Sequence, residues 1–426
     1  MRSHLRGKLL VSLLVVAMLT SLAGAALAKE KVTFWTSHSG QPDRGSLELI
    51  AATFNESQDK YEVEVTIVPG SETDVAKLMT AVAAGTGPDV YLVDRFTTAQ
   101  RAVAGALTDL TPFIERAGWK PQDEYLPFAI EESTWAGKIY SLPFDTDTRA
   151  LYYRKADFVE MGLDPEAPPT TIDELNQVLT KLTKRISERR FDRLGLIPWM
   201  GQGWHYTWGW AFGGEFYDIA NRKLTANDPA IVESFAWQQE IAEQYGIAAI
   251  QGFASAFGSE AQDPFIAGKI SMIIDGDWKI AGLKRFGPDV EYGIGNIPTK
   301  PGVGPVTWAG GWAMAVPRGA KNAEGGFEFA RFAAGPVGQE IYTRDTSHLP
   351  TLKALVDRVD LFADDGHDFF LANLPFAKSR PALPVGALLW DELTAARDYV
   401  INGDKTPQKA LDDVVERVQP EIDKSF

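Results

Sequence analysis

The sequence predicts an α/β protein of two lobes, each a mostly parallel sheet flanked by helices, with the chain crossing between them more than once. Three observations predict it. Strand-like and helix-like segments alternate from Lys29 onward, a second such cycle opens near residue 151, and the 426 residues contain no tandem repeat or low-complexity linker.

Residues 1–28 are set aside first. Arg2, Arg6 and Lys8 stand without an acid before the nearly all-apolar 9–19, and Ala26-Leu27-Ala28 is a small-x-small cleavage site. That is the pattern of a secretory signal peptide, its apolar core too short for a membrane span, so a mature chain beginning at Lys29 is expected. From there 31–35 is a short β-prone run. Leu47, Ile50, Ala51 and Phe54 recur at i, i+3, i+4 and i+7, one face of an amphipathic helix. The stretch 61–68 alternates, with Tyr61, Val63, Val65 and Ile67 on one side and Glu62, Glu64 and Thr66 on the other. Val75, Leu78, Met79 and Val82 predict a helix that stops at Gly85, and 89–93 reads as a buried strand. This β-α-β-α-β order implies a mostly parallel sheet, whose ligands sit beyond the carboxyl ends of its strands. The second cycle starts with the apolar, aromatic 151–154. Thr171 and Glu174 form a T-x-x-E capping box before Leu175, Val178, Leu179 and Leu182. Strand-like 270–274, 292–297 and 312–316 follow, and helical patterns dominate from Glu324.

The formal charge is −15, and loss of the three basic leader residues takes it to about −18. That balance argues against nucleic acid or an anionic membrane as partner, and solubility alone accounts for it. With no Cys, disulfides and lipid anchoring through an N-terminal Cys are excluded, and a soluble periplasmic protein is expected. No cofactor or metal is expected. The five His show no H-E-x-x-H spacing, no P-loop or nucleophile elbow occurs, and Gly293-Ile294-Gly295 runs into Asn296-Ile297-Pro298 rather than a helix. The informative excess is aromatic: 12 Trp, 12 Tyr and 23 Phe.

The most telling stretch is 142–155, LPFDTDTRALYYRK, in which two closely spaced carboxylates lead into the apolar run. Together with MGLDP at 161–165 it closely resembles the lobe-crossing segment of family 1 extracellular solute-binding proteins of carbohydrate ABC transporters, of the maltose- and trehalose-binding kind. Further segments resemble the same family in the same order: VTFWTSHS at 32–39, AGTGPDV at 84–90, FIAGKISM at 265–272 with GDW at 276–278, GGW at 310–312, KNA at 321–323 and HLPT at 348–351. The resemblance implies a two-lobed periplasmic-binding-protein fold of the class II type, with a hinge between the lobes. It places lobe 1 at 29–143 plus about 300–334 and lobe 2 at 148–297 plus about 337–426. Hinge segments fall near 144–147, 297–299 and 335–336. It also implies an extracytoplasmic, monomeric component of an ABC importer that closes around a carbohydrate, a di- or oligosaccharide, and docks on permease subunits served by a separate ATPase.

A sugar offers hydroxyls to carboxylates and C–H faces to aromatic rings, so a sugar pocket needs acids and rings together. Asp147 matches the family's acidic ligand contact. Asp145, two residues away, is equally suited to a turn or cap, and Asp94, ending the strand 89–93, to contact or capping; Asp89 reads as structural. Trp312 matches a stacking position after two glycines, of which Gly311 could offer its amide; Trp278, after Asp277, matches a second aromatic contact. A core role competes for both indoles. Between Trp199 and Trp210, the pairs Trp204/Trp208 and Tyr206/Trp210 share helix faces; one face is expected in the core and either could floor the pocket, with Trp204 and Tyr206, one from each, as the candidates for ligand contact. Trp35, Ser37, His38 and Ser39 leave the first strand at the cleft, His38 as a donor or a satisfied structural imidazole. Arg380 resembles a late Arg-Pro ligand contact, with a surface ion pair as its alternative, and Arg95 would matter for a phosphorylated ligand.

Relatives of the family take polyols or glycerol phosphates, and that is the alternative ligand reading. A secreted glycoside hydrolase is the rival function. It would need two carboxyls about 5–9.5 Å apart across a bond, one with a raised pKa. A ligand sensor presented to a membrane receptor would keep the same fold.

Overall fold

The computed structural model describes residues 28–68, 75–362 and 366–425; all of the expected signal peptide except Ala28 lies outside the described residues. The chain enters through β1 (Glu30–Thr36), α1 (Asp43–Ser57), β2 (Tyr61–Ile67), α2 (Val75–Ala83) and β3 (Val90–Asp94). Leu47, Ile50, Ala51 and Phe54 of α1 are buried, as are Val32 and Phe34 of β1, so the predicted stripe lies against the sheet. Beyond α2, Gly85 has φ 64°, the left-handed conformation that ends a helix without a Cβ penalty. β4 (Ser141–Pro143), β5 (Asp145–Thr146) and β6 (Arg149–Arg154) come next, then α3 (Ile172–Leu182), α4 (His205–Ala211) and α5 (Pro229–Tyr245). They are followed by β7 (Met272–Gly276), α6 (Trp278–Phe286), β8 (Tyr292–Gly295), β9 (Thr307–Ala309) and β10 (Trp312–Ala315). The chain ends with α7 (Ala323–Ala333), α8 (Pro336–Thr346), β11 (Leu349–Pro350), α9 (His367–Asn373), β12 (Ala377–Ser379), α10 (Gly386–Ile401) and α11 (Pro407–Ser425).

Two sheets organise the two lobes. The first has the order β2-β1-β3-β10-β4; β1 is parallel to β2 and β3, and β10 is the one opposing strand. The second has the order β7-β6-β8, with β6 antiparallel to both neighbours and a parallel bridge from Leu194 to Ile270 widening it. The capping box opens α3 as read from sequence. Thr171 Oγ1 accepts from Glu174 N, and Glu174 Oε2 accepts from Thr171 N, each at 3.2 Å. Much of the aromatic content is core: Trp208 is fully buried, its Nε1 donating to Pro198 O at 2.7 Å, and truncating such an indole costs about 3–5 kcal/mol.

Two of the expected crossings move. The second was expected at 297–299, yet β9 stays with the second lobe. Thr307 Oγ1 accepts from Arg149 N at 2.7 Å, and Trp308 packs within 6.2–6.3 Å of Tyr206 and Trp210. The chain passes to the first sheet at Gly310-Gly311. The third was expected at 335–336, but Pro336 is the first residue of α8, where its missing N–H has no partner to lose. That helix lies on α1, with Ser46 Oγ donating to Asp345 at 2.5 Å and Tyr342 OH donating to Asp43 at 2.8 Å. Leu126 N then donates to Thr351 O at 2.8 Å, so the chain is still with the first lobe at Thr351, and it is back with the second at α9, where Phe370 O accepts from Thr148 Oγ1 at 3.0 Å.

The first two crossings run side by side under one buried guanidinium. Arg95, fully buried, donates Nη1 to Asp145 O and Nη2 to Gly310 O, and its Nε meets Glu132 Oε2 at 2.6 Å. Thr146 Oγ1 donates to the same Gly310 carbonyl at 3.1 Å. Gly311, at φ 129°, would bring a Cβ within 2.4 Å of Asp145 O, so only glycine fits this close crossing.

Candidate functional site

A cleft of about 810 Å³ opens between the sheets, at the carboxyl ends of β1, β3 and β7. Ser37 and His38 enter it from the end of β1, Asp94 from the end of β3, and Trp278 from the start of α6. Gly311 and Trp312 reach it where β10 begins, and Trp312 pairs in register with Asp94, which sets indole and carboxylate side by side. Asp147, Trp204 and Arg380 complete the expected residues that the structure brings together here.

Each charged residue of this group is already engaged. Asp147 Oδ1 accepts from Gly310 N at 2.8 Å and pairs with Arg149, whose guanidinium lies 3.9 Å over the Trp308 ring. Asp94 pairs with Arg380 at 2.7 Å, and Arg380 in turn stacks 3.7 Å over Phe96. Burial holds His38 down at about 4, so its neutral ring meets Trp312 edge-on at 4.3 Å.

Three expected residues sit elsewhere. Tyr206 is 2% exposed and packs among Trp210, Phe216 and Trp390. The expectation of one core face failed because every residue of α4 is buried, and only Trp204, just before the helix, meets the cleft. Asp145 is 2% exposed and turned behind the wall, its Oδ1 accepting from Trp312 N at 2.5 Å. Ser39 is exposed outside the lining. Arg95, weighed for a phosphorylated ligand, is consumed by the crossing segments.

Sequence reasoning missed Arg149, Lys279, Asp43, Trp390 and His348 in the lining. Arg149 carried the one available signal, a lone charge opening an apolar run. Lys279 pairs with Asp263 at 2.6 Å and with Asp275 at 3.3 Å. Trp390 lies 4.9 Å from Trp204 and extends the aromatic wall. His348 stacks between Tyr342 and Trp278, at 5.3 and 5.2 Å. Burial pulls its pKa down, but Asp145, Asp43 and Asp277 override that and raise it to about 9. Among the described residues no cluster of His, Asp and Glu could hold a metal ion, and no helix is long and apolar enough to cross a membrane.

A two-lobed fold with acids and indoles facing each other across the interlobe cleft is the form of a solute receptor, and the family of bacterial extracellular solute-binding proteins matches residues 50–370. The chain belongs to that family. It is 25% identical over 428 residues to the sn-glycerol-3-phosphate-binding periplasmic protein UgpB of Escherichia coli (strain K12), covering 94% of each chain. Among solved structures it resembles CpMnBP1 with mannotriose bound, at TM-score 0.83 and 26% identity, covering 91% of this chain and 99% of that one. It shares the fold of UgpB from Mycobacterium tuberculosis in complex with glycerophosphocholine, at TM-score 0.75 and 21% identity, covering 93% and 99%. This solute-binding protein thus shares its fold with proteins whose structures hold mannotriose and glycerophosphocholine.

Proposed function

We propose that this solute-binding protein serves an ABC importer by taking a neutral carbohydrate of two or more rings into the interlobe cleft and presenting it to membrane permeases. The observation that carries this reading is the pairing of every strong cation in the lining. Arg380 with Asp94, Arg149 with Asp147 and Lys279 with Asp263 and Asp275 are neutralised within the walls. Such a cleft offers hydrogen-bonding groups without a free positive charge, and Trp204, Trp278, Trp312 and Trp390 add flat apolar area for ring faces. The bound mannotriose of CpMnBP1 supports the same class of ligand.

The lobes in this reading are 29–143 with about 311–361, and 148–309 with 367–425, bending where Phe144–Asp147 and Gly310-Gly311 cross. Closure is a hinge motion favoured by a solute that fits the closed walls better than the open ones. Export to the periplasm as a monomer and docking on permeases with a separate ATPase belong to the same proposal.

The test is calorimetric titration of the protein against mannotriose, other di- and oligosaccharides, polyols and sn-glycerol 3-phosphate, with product analysis of every sample. Stoichiometric binding of a sugar recovered intact supports the reading. Consumption of the sugar with turnover would make the cleft acids catalytic and overturn it.

The second reading, a glycerol phosphate, is favoured by the UgpB relative and by the two guanidiniums in the lining. Asp94→Asn separates the two. With its counter-charge gone, Arg380 can meet a phosphate, so affinity for sn-glycerol 3-phosphate is expected to rise by about tenfold, the weight of one charge-assisted hydrogen bond. A wild-type protein that already binds the phosphate more tightly than any sugar would transfer the function to this second ligand class.

A further inference from the structure

In the wall of the cleft, three carboxylates from three separate elements close on one imidazole. His348 Nδ1 lies 3.5 Å from Asp145 Oδ2 and 3.7 Å from Asp277 Oδ1, and His348 Nε2 lies 3.7 Å from Asp43 Oδ1. Asp277 and Asp145 are 0% and 2% exposed. Among the described residues, Asp145 Oδ2, Asp277 Oδ2 and His348 Nδ1 are buried without a hydrogen bond. Their neutralisation therefore rests on charge across short gaps, which is strong where water is excluded.

Each of these carboxylates also holds a part of the cleft. Asp145 accepts the amide of Trp312 on the first lobe. Asp277 caps the helix that begins with Trp278 on the second, its Oδ1 accepting from Trp278 N at 2.9 Å. Asp43 starts α1, accepts from Tyr342 OH at 2.8 Å and faces His38 at 4.0 Å. The imidazole itself lies flat on Trp278, with an interplanar angle of 28°. Burial already raises the pKa of Asp145 and takes Asp277 to about 7, so the positive charge at the centre is what favours their ionised forms together.

We propose that His348 is a positioning residue for solute binding: as an imidazolium it ties Trp278 and Asp277 of the second lobe to Asp43 of the first and to Asp145 in the crossing between them, and so sets the spacing of the cleft walls. The inference rests on the reading of the cleft as the solute site. The other groups facing the cluster are His38, which burial keeps neutral, Tyr342, Arg95, whose guanidinium meets the Asp145 carbonyl and adds positive charge near its carboxylate, and Arg149, whose guanidinium lies 5.3 Å over Trp278 and adds positive charge near Asp277. The folded pKa of His348 is raised to about 9 from 6.5, so its contribution is lost as pH rises through 9. On the acid side burial raises Asp277 to about 7, so the pairing with that carboxylate weakens as pH falls below 7 and the tie is strongest between the two values.

The chain has no Cys, so Leu49→Cys on α1 and Val159→Cys beside β6, both exposed, accept a pair of spin labels specifically. Pulsed electron-resonance distances are measured at pH 7 and pH 10, with and without His348→Gln, alongside titration with mannotriose as the probe. The expected result is a narrow distribution at pH 7 that broadens at pH 10, and a broad one at both pH values in His348→Gln. Mannotriose affinity should fall by about tenfold over the same rise in pH, and the variant should start at the weaker value and stay flat. Identical distance distributions in all four samples overturn the proposal, and so does a variant that keeps the wild-type affinity and pH profile. If the distances respond as expected and mannotriose does not bind, the wall-spacing role stands and the sugar reading alone fails.

Discussion

Glu132→Ala is expected to lower unfolding stability by about 3–5 kcal/mol, the cost of leaving a buried charge without its partner. Arg95 is fully buried and Glu132 nearly so, and their contact at 2.6 Å is what allows a guanidinium to sit under the crossing segments. The loss should not stop at stability. Arg95 also holds the carbonyls of Asp145 and Gly310, so a displaced guanidinium loosens the place where the lobes join. Denaturant unfolding of Glu132→Ala beside Glu132→Gln, which keeps a hydrogen-bond acceptor, measures the effect. A shift below about 1 kcal/mol in the alanine variant would mean that the pair is not the clamp described above.

Trp312→Ala is expected to weaken solute binding by about 2 kcal/mol or more while barely moving the melting temperature of the free protein. The indole is half-buried, faces the cleft and touches His38 edge-on, whereas the next residue, Ala313, is fully buried in the sheet. Its backbone stays fixed by pairing with Asp94 and by the Asp145 carboxylate, so truncation removes stacking area and leaves the strand in place. Calorimetry and a thermal melt on the same preparation decide it. Parallel losses of affinity and melting temperature would make Trp312 a core residue.

The sequence was most legible where local periodicity and tertiary burial agree. The stripe of Leu47, Ile50, Ala51 and Phe54, the alternation from Tyr61 to Ile67 and the capping box at Thr171 are each set by neighbours within a few residues, and each formed as read. The cleft was legible where a residue ends a strand, as Asp94 does, or follows one closely, as Trp278 does. Tyr206 was misplaced because helical spacing defines a face but not which side is covered, and α4 is covered on all sides. His348 was overlooked because its three carboxylates arrive from residues 43, 145 and 277, a convergence that exists only after folding. The crossings moved for a related reason. Gly335-Pro336 has the look of a chain break, yet it separates two helices that stay with the first lobe, while the tight passage at Gly310-Gly311 depends on Arg95 more than two hundred residues earlier.

The position of β10 in the first sheet has a consequence for how the molecule is made. Strands β1, β2, β3 and β4 have all been synthesised by Pro143, but β10, which pairs with both β3 and β4, begins at Trp312. A ribosome must add roughly 170 further residues before the inner edge of that sheet can close, and strand pairings so distant in sequence form slowly. The second sheet waits in the same way, since β6 gains its partners only from residues 272–295. Neither sheet can therefore complete its strand pairing until most of the chain has been made, so the first lobe's early β1–β3 unit has an open edge for most of its own translation.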